Sequence, residues 1–354
     1  MNWPDRRLTD LLKIEHPIVL APMAGAMDHA LAAEVAEGGG LASIPCAMLT
    51  PEQIRAEVAK FRARTRKPLN LNFFCHVPPE RSNAREAAWR DRLDPYYREL
   101  GIDPAAPVPV SNRAPFDAAL CDLLLDLKPE VASFHFGLPE PALLARVKAA
   151  GIVILGCATT VDEARWLAER GVDAVIAQGY EAGGHRGMFR TADIGAQPGT
   201  FALVPQVADA VPVPVIAAGG IADARGIAAA CMLGAAGVQI GTAFLHCPES
   251  TISALHRAAL QSAQDDATAL TTLMTGRPAR GLYNRLMREL GPLSETPAFP
   301  LAGGALAPLR ARAEAQGSAD FSPLWSGQAA ALGTAMPARA LTEKLAAQAQ
   351  ALLR

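Results

Sequence analysis

The sequence has no excess of either charge: 33 Lys and Arg stand against 35 Asp and Glu, giving a formal net charge of -2 with 19% of residues charged. Without a strongly cationic surface, nucleic acid and anionic membranes are poor partners, and small molecules become the default. Long apolar runs are also missing; no stretch reaches the ~20 residues that a bilayer-spanning helix needs. The opening segment MNWPDRRLTDLLKIEHPIVLAPMAG carries charge on both sides of a short apolar run and lacks a small-residue cleavage site, so a cytoplasmic location is expected. Cysteines at 46, 75, 121, 157, 231 and 247 form no CxxC pair and have no histidine at zinc spacing; they are expected to be reduced, mostly buried thiols. A Walker-type lysine motif, a GxSxG elbow and an HExxH helix are absent, and AEGGGLAS around Gly38 lacks the dinucleotide-binding spacing and follows a helix rather than a strand. Carboxylates are scarce where strands end, Glu181 being the main exception, so no bound metal is expected.

What is present is a rhythm. Short runs rich in Val, Ile, Leu and Ala alternate with segments of helical period, the pattern of parallel strands joined by helices. Eight runs fit: 17–23, 41–45, 69–74, 131–137, 152–158, 173–179, 213–220 and 237–242. Most are continuous rather than alternating, as expected for a sheet covered on both faces. Helix starts can be read between them: Thr50 precedes Pro51, and Thr160 precedes VDEARWLAERG, which Gly171 is placed to end. Eight right-handed βα units could form an open doubly wound sheet, but the count and the position of the glycine-rich turns favour an α/β fold of the (β/α)8, or TIM barrel, type. A chain of 354 residues exceeds the about 250 such a barrel needs, which leaves room for insertions.

Two stretches break the rhythm. Residues 75–112, aromatic and charged, follow the third strand. A larger stretch, 243–328, follows the eighth and is expected to be mainly helical, a substrate-pocket or lid insertion, with 1–242 and 329–354 making the barrel. Both leave from the C-terminal ends of strands, where barrel enzymes build their sites. The alternative for the first is contact between subunits, as in a homodimer.

The sharpest local signals lie at the same end. After the seventh run, Gly219 and Gly220 allow close approach of a ligand to backbone, and the helix that follows offers N–H groups to a phosphate; after the eighth, Gly241 and Thr242 add a backbone donor and a hydroxyl. Turns at these two positions match the common phosphate site of the barrel fold, although either alone would serve as a tight turn. After the sixth run, AQGYEAGGHRG lets Gly183 and Gly184 press against a flat ring, and sets His185 beside it as an ionisable base and Arg186 as a fixed cation. Asn72 and Gln178, polar side chains within apolar strands, must find partners in backbone or in a cofactor. His135 shares a strand face with Ser133 and is a candidate for the barrel mouth or for a satisfied structural role.

APMAG at 21–25, NFF at 72–74, QGYEAGGHRG at 178–187, AAGGI at 217–221, QIGTAF at 239–244 and LWSGQ at 324–328 together resemble the nitronate monooxygenases, formerly called 2-nitropropane dioxygenases, relatives of the FMN-dependent enoyl-acyl-carrier-protein reductases. The resemblance implies an FMN-dependent oxidation of alkyl nitronates by O2, with propionate 3-nitronate as the toxin removed. It also implies flavin contacts at Ala21, Pro22, Met23, Asn72, Gln178, Gly183, Gly220, Gln239, Ile240, Gly241 and Thr242, with Gly184 and Gly219 alongside, and a catalytic base at His185; His135 and Arg186 are the candidates for substrate. The chain departs from the family pattern in MDHAL after APMAG and in the excursion after Asn72, positions that bear on substrate more than on cofactor. An NAD(P)H-dependent enoyl or quinone reductase is the competing enzyme reading, and a non-catalytic flavin-binding protein the other.

Overall fold

In the computed structural model, which describes residues 3–109 and 113–354, eight parallel strands form one sheet. They are β1 (Ile18–Leu20), β2 (Ala42–Pro45), β3 (Leu69–Phe74), β4 (Val131–His135), β5 (Val153–Ala158), β6 (Ala174–Gln178), β8 (Val215–Ala218) and β9 (Gly237–Ile240). The order β1-β9-β8-β6-β5-β4-β3-β2 places the first and last chain-wise strands side by side, and a parallel bridge from Val19 to Leu41 joins the two ends into a ring. Each expected run contains one of these strands. A two-residue strand, β7 (Gly184–His185), belongs to a second sheet with β10 (Thr268–Thr271) and β11 (Ala279–Leu282).

The helices begin where the side chains dictate. Thr50 accepts from the Gln53 N–H at 3.3 Å while Gln53 Oε1 accepts from the Thr50 N–H at 2.8 Å, a reciprocal box that fixes the start of Pro51–Arg64. Thr160 caps Val161–Glu169 from one side only, its hydroxyl accepting from the Glu163 N–H at 3.2 Å, and Gly171, at φ +73°, turns the chain after it.

Strand alternation sorts the side chains into two layers. Leu71, Phe73, Val175, Ala177, Val238 and Ile240 point outward into the large core shared with the helices. Inside the ring the lower layer is apolar, with Val131, Leu155, Ile176 and Ile216 packed against Leu8 and Leu12 of the helix Arg7–Leu12, which stoppers the N-terminal end. The upper layer turns polar: Asn72 donates to Ser133 Oγ at 2.9 Å, and Gln178 on β6 and Gln239 on β9 stand level with each other on either side of β8. Polarity therefore collects at the C-terminal end, the end that faces ligands in this fold.

The two excursions meet above that end. The first supplies the helix Asn83–Glu99 and the second the helices Arg285–Leu290 and Ala302–Ala315; Trp89, Leu93, Tyr97, Leu286, Leu306 and Leu309 bury themselves in a second, separate core. Trp89 Nε1 donates to the Ala302 carbonyl at 3.0 Å, and Arg285 pairs with Glu99. Residues 110–112, the end of the first excursion as read from sequence, lie outside the described residues. The stretch 243–328 carries more than the helices expected of it: its strands β10 and β11 form a hairpin that continues the second sheet onto the loop after β6. The chain then returns to the barrel as the helix Ala338–Leu352, whose Leu341 and Leu345 join the large core. No helix among the described residues is long and apolar enough to cross a membrane.

Gly237 shows how tightly the stopper fits. A Cβ at this position would lie 2.4 Å from Leu8 Cδ2 and 2.7 Å from the Pro17 carbonyl oxygen, and backbone cannot give way as a side chain can. Gly237→Ala is expected to cost about 1–3 kcal/mol through overpacking, seen as a lower urea midpoint with an unchanged slope; an unaltered midpoint would show that the lower layer is loose.

Candidate active site

A cavity of about 430 Å³ opens at the C-terminal end of the barrel, within the size range of small-molecule and cofactor sites. Ala21, Pro22 and Met23 border it after β1, Asn72 within β3, His135 at the end of β4 and Gln178 at the end of β6. Gly183, Gly184 and His185 come from the loop after β6, Gly219 and Gly220 follow β8, and Gln239, Gly241 and Thr242 lie in and after β9. These residues span most of the sequence, yet the ring of strand ends places them around one space.

Two expected residues do not share it. Ile240 follows the alternation of β9 and points outward into the barrel–helix core, so only its backbone serves the site, accepting from the Ala21 N–H at 2.9 Å. Arg186 is fully buried and its guanidinium is spent within the protein: Nε donates to Gln197 Oε1 at 2.7 Å, Nη1 to the Gly179 carbonyl at 2.6 Å and Nη2 to the Gln178 carbonyl at 2.8 Å. In the extended segment successive side chains alternate, and since His185 faces the cavity its neighbour faces away. Arg186 is a brace of the loop and not a substrate contact.

The loop bearing His185 is clamped from both directions. From the barrel, Gln178 Nε2 donates to the His185 carbonyl at 3.0 Å while Gln178 Oε1 accepts from the Gly187 N–H at 2.7 Å, and His135 Nε2 reaches the same His185 carbonyl at 3.2 Å. From the insertion, β11 pairs antiparallel with β7, setting Ala279 opposite His185, and the Arg186 N–H donates to the Pro278 carbonyl at 2.9 Å. Behind the cavity wall, Arg280 Nε donates to the Tyr180 carbonyl at 3.1 Å, and the Gln328 N–H donates to the Glu181 carbonyl at 3.0 Å.

The imidazole of His185 has one anchored nitrogen. Nε2 lies 2.9 Å from Thr275 Oγ1, and the ring packs against Phe74, Phe136, Phe299 and Trp325. Burial, followed by the cationic neighbour Arg113, holds its pKa well below the ordinary value, so the ring is neutral at pH 7. His135 is pushed down to about 3, by burial and then by Arg277, and His76 to about 4 for the same two reasons. Arg277 stacks on the Phe136 ring at 3.9 Å.

Sequence reasoning missed the cavity's contributions from the excursions. Arg113 borders the cavity, as do Arg310 and Glu314 of the helix Ala302–Ala315, which are paired at 2.8 Å, and His256, whose Nε2 meets the Trp325 carbonyl at 3.1 Å. Thr275 was missed as well, since a threonine in TTLMTGRP carries no local signal. The cavity thus holds two guanidinium groups against one carboxylate.

Its opposite side has the features of a ring-and-phosphate site. Gly219 and Gly220 adopt φ +112° and +71°, and a Cβ on Gly219 would lie 2.9 Å from the Ala182 nitrogen. A Cβ on Gly241 would come within 3.3 Å of the Ala21 Cβ and 3.4 Å of Met23 Sδ. In the helix after β8 the N–H groups of Arg225 and Gly226 are already taken by the Asp223 side chain, so its first turn has fewer donors to offer a phosphate than its sequence suggested. Gln239 Oε1 is buried at the cavity wall with no hydrogen-bond partner, an acceptor placed for an N–H of a bound ring.

A family model described as nitronate monooxygenase matches residues 5–348. The chain is 45% identical over 344 residues to a nitronate monooxygenase of Pseudomonas aeruginosa, covering 96% of this chain and 97% of that one. The chain belongs to the nitronate monooxygenase family. It is therefore an oxidoreductase of a flavin-dependent family. A nitronate monooxygenase of Paraburkholderia phytofirmans is 42% identical, with 96% of this chain and 94% of that one covered. Among solved structures, a nitroalkane oxidase from Streptomyces ansochromogenes is similar with a TM-score of 0.89 and 38% identity over 98% of both chains. FabK from Thermotoga maritima follows the same fold with a TM-score of 0.76 and 29% identity over 99% of this chain and 98% of that one. Within the nitronate monooxygenase frame the only set of candidate metal ligands among the described residues, Asp28, His29 and Glu57, lies away from the cavity lining; Asp28 caps the helix His29–Glu37, and Glu57 takes the His29 N–H and Nδ1.

The site yields two expected outcomes. Arg186→Met should lower unfolding free energy by about 2–4 kcal/mol, because two buried carbonyls lose their donor; a selective rise in KM with unchanged stability would return Arg186 to the substrate. The depressed histidines give a pH dependence whose sign is fixed. Where the folded pKa lies below the unfolded value of about 6.5, stability is present above 6.5 and is lost as the pH falls, because the unfolded chain binds more protons. The urea midpoint is expected to fall between pH 7.5 and pH 4.5, and to fall less in His135→Gln.

Proposed function

We propose that this chain is an FMN-dependent nitronate monooxygenase that oxidises alkyl nitronates with O2, propionate 3-nitronate foremost, and neutral nitroalkanes through prior removal of a proton. The observation that carries the proposal is the neutral, anchored imidazole of His185 at a cavity that also contains a glycine-built cradle and an unpartnered acceptor, Gln239 Oε1. FMN fits these residues: its ring would lie among Ala21, Pro22, Met23, Asn72, Gln178, Gly183, Gly184 and Gln239, and its phosphate against the turns containing Gly219, Gly220, Gly241 and Thr242. When bound, FMN supplies the redox chemistry, taking electrons from the nitronate and returning them to O2.

The protein's own part is binding, orientation and proton control. A nitronate is an anion, and Arg113 and Arg310 bias the cavity toward anions, with Glu314 the single opposing carboxylate. A substrate with a second carboxylate suits that balance better than an uncharged one. The stretch 243–328 forms the lid over this pocket; Trp325 and Phe299 present rings to His185 at 5.5 and 5.3 Å and keep water from it. A neutral imidazole can take the proton from the carbon beside a nitro group, which a protonated one cannot. For a preformed nitronate the base is not required.

Purified protein is expected to be yellow. Under anaerobic conditions propionate 3-nitronate should bleach the flavin band and NADPH should not; bleaching by NADPH alone would favour the reductase reading, which the likeness to FabK keeps specific. His185→Asn should keep its flavin and lose about 100-fold or more of its activity on nitroethane. Full activity in that variant would remove His185 from the proton step.

A further inference from the structure

The geometry points to Thr275 as the positioning residue that anchors His185 through Nε2 and so commits Nδ1 to face the cavity as the proton-accepting nitrogen. The inference rests on the assignment of His185 as base and adds which atom acts and what fixes it.

Thr275 comes from the insertion, between β10 and β11, and its side chain is buried at 3% exposure. It is delivered to the imidazole by the same hairpin that pairs with β7, where Ala279 lies opposite His185 and Arg280 opposite Gly184. Its Oγ1 is 2.9 Å from His185 Nε2, and also 3.5 Å from the carbonyl oxygen of Arg277. A hydroxyl has one proton to donate and lone pairs to accept with. With its own proton turned to the Arg277 carbonyl, Thr275 accepts from Nε2–H, and the lone pair of the ring then resides on Nδ1. Among the described residues Nδ1 has no hydrogen-bond partner and is not one of the buried unpartnered atoms, in a ring that borders the cavity.

The partner's chemistry matters. A carboxylate at this place would favour a charged ring and raise its pKa. The groups that face His185 are instead Arg113 and Arg277, cations, and the neutral rings His135 and His76. A hydroxyl therefore orients the ring while leaving it uncharged, ready for a proton. In the proton step the C–H bond beside the nitro group breaks, its electron pair moves into the C=N bond of the nitronate, and the proton passes to Nδ1. The imidazolium so formed still donates Nε2–H to Thr275, so the anchor is unchanged through the step.

The test compares two substrates in the flavin-loaded enzyme. Nitroethane needs the proton step and ethyl nitronate does not. Thr275→Val, which keeps shape and loses the hydroxyl, is expected to lower kcat/KM for nitroethane about 10- to 100-fold, to alter its pH profile, and to leave ethyl nitronate within about threefold; Thr275→Ser should restore nitroethane turnover. Wild-type nitroethane activity in Thr275→Val, or equal losses on both substrates, overturns the inference. A second measurement needs no Thr275 variant. Nitrogen-15 spectra of histidine-labelled wild-type protein at pH 7.5, with His185→Asn to assign the signal, should show Nε2 protonated and Nδ1 bare, and the opposite tautomer overturns the inference. An enzyme that turns over neither substrate would defeat the proposed function, while the tautomer would still report on Thr275.

Discussion

The amide of Gln178 is the contact on which the active end depends. One side chain at the end of β6 donates to the His185 carbonyl and accepts from the Gly187 N–H, so a loop of small residues is pinned across its middle to a rigid strand. Without that pin the glycines that let the loop lie flat would also let it wander. The pin makes other placements possible: Arg186 turns inward to brace the carbonyls of Gln178 and Gly179, and β7 becomes straight enough to accept β11. The imidazole is then held by the barrel through its backbone and by the insertion through its ring.

This division of labour explains how a common scaffold acquires a particular chemistry. The barrel supplies a polar upper layer and an apolar lower one, both set by strand alternation. Charge comes from the insertions and their edge, with Arg113 immediately after the first and Arg310 within the second, and a private core around Trp89 and Leu306 locks the two together. Cations placed on insertions rather than in the barrel wall can vary while the residues of the strand ends stay fixed.

Much of this was legible in the sequence, and the failures have physical causes. Continuous apolar runs located the eight barrel strands, because a strand covered on both faces needs apolar residues at every position. Glycine-containing turns after the seventh and eighth runs pointed to the cavity that Gly219, Gly220, Gly241 and Thr242 border, because backbone can approach a ligand there. Ile240 and Arg186 were assigned by adjacency to good candidates, yet alternation turns every second side chain away, a rule that could have excluded both. The donors offered by the helix after β8 are fewer than its position implies because Asp223, visible in the sequence, already takes the N–H groups of Arg225 and Gly226. The hairpin of β10 and β11 was hidden: four-residue strands flanked by stronger helical patterns carry little periodicity, and their partner, β7, is only two residues long. Thr275 reaches the site only through that tertiary pairing, and Arg310 through the packing of its helix in the second core.

The helix Arg7–Leu12 has a consequence for traffic. With Leu8 and Leu12 filling the lower mouth of the ring, solute has no passage through the barrel axis. Whatever the cavity binds must therefore enter and leave by the upper doorway, on the side of the two insertions. A group held against the inner wall of that vestibule would leave only its outer side open to a second molecule, so the single entrance would impose an order of arrival before any affinity comes into play.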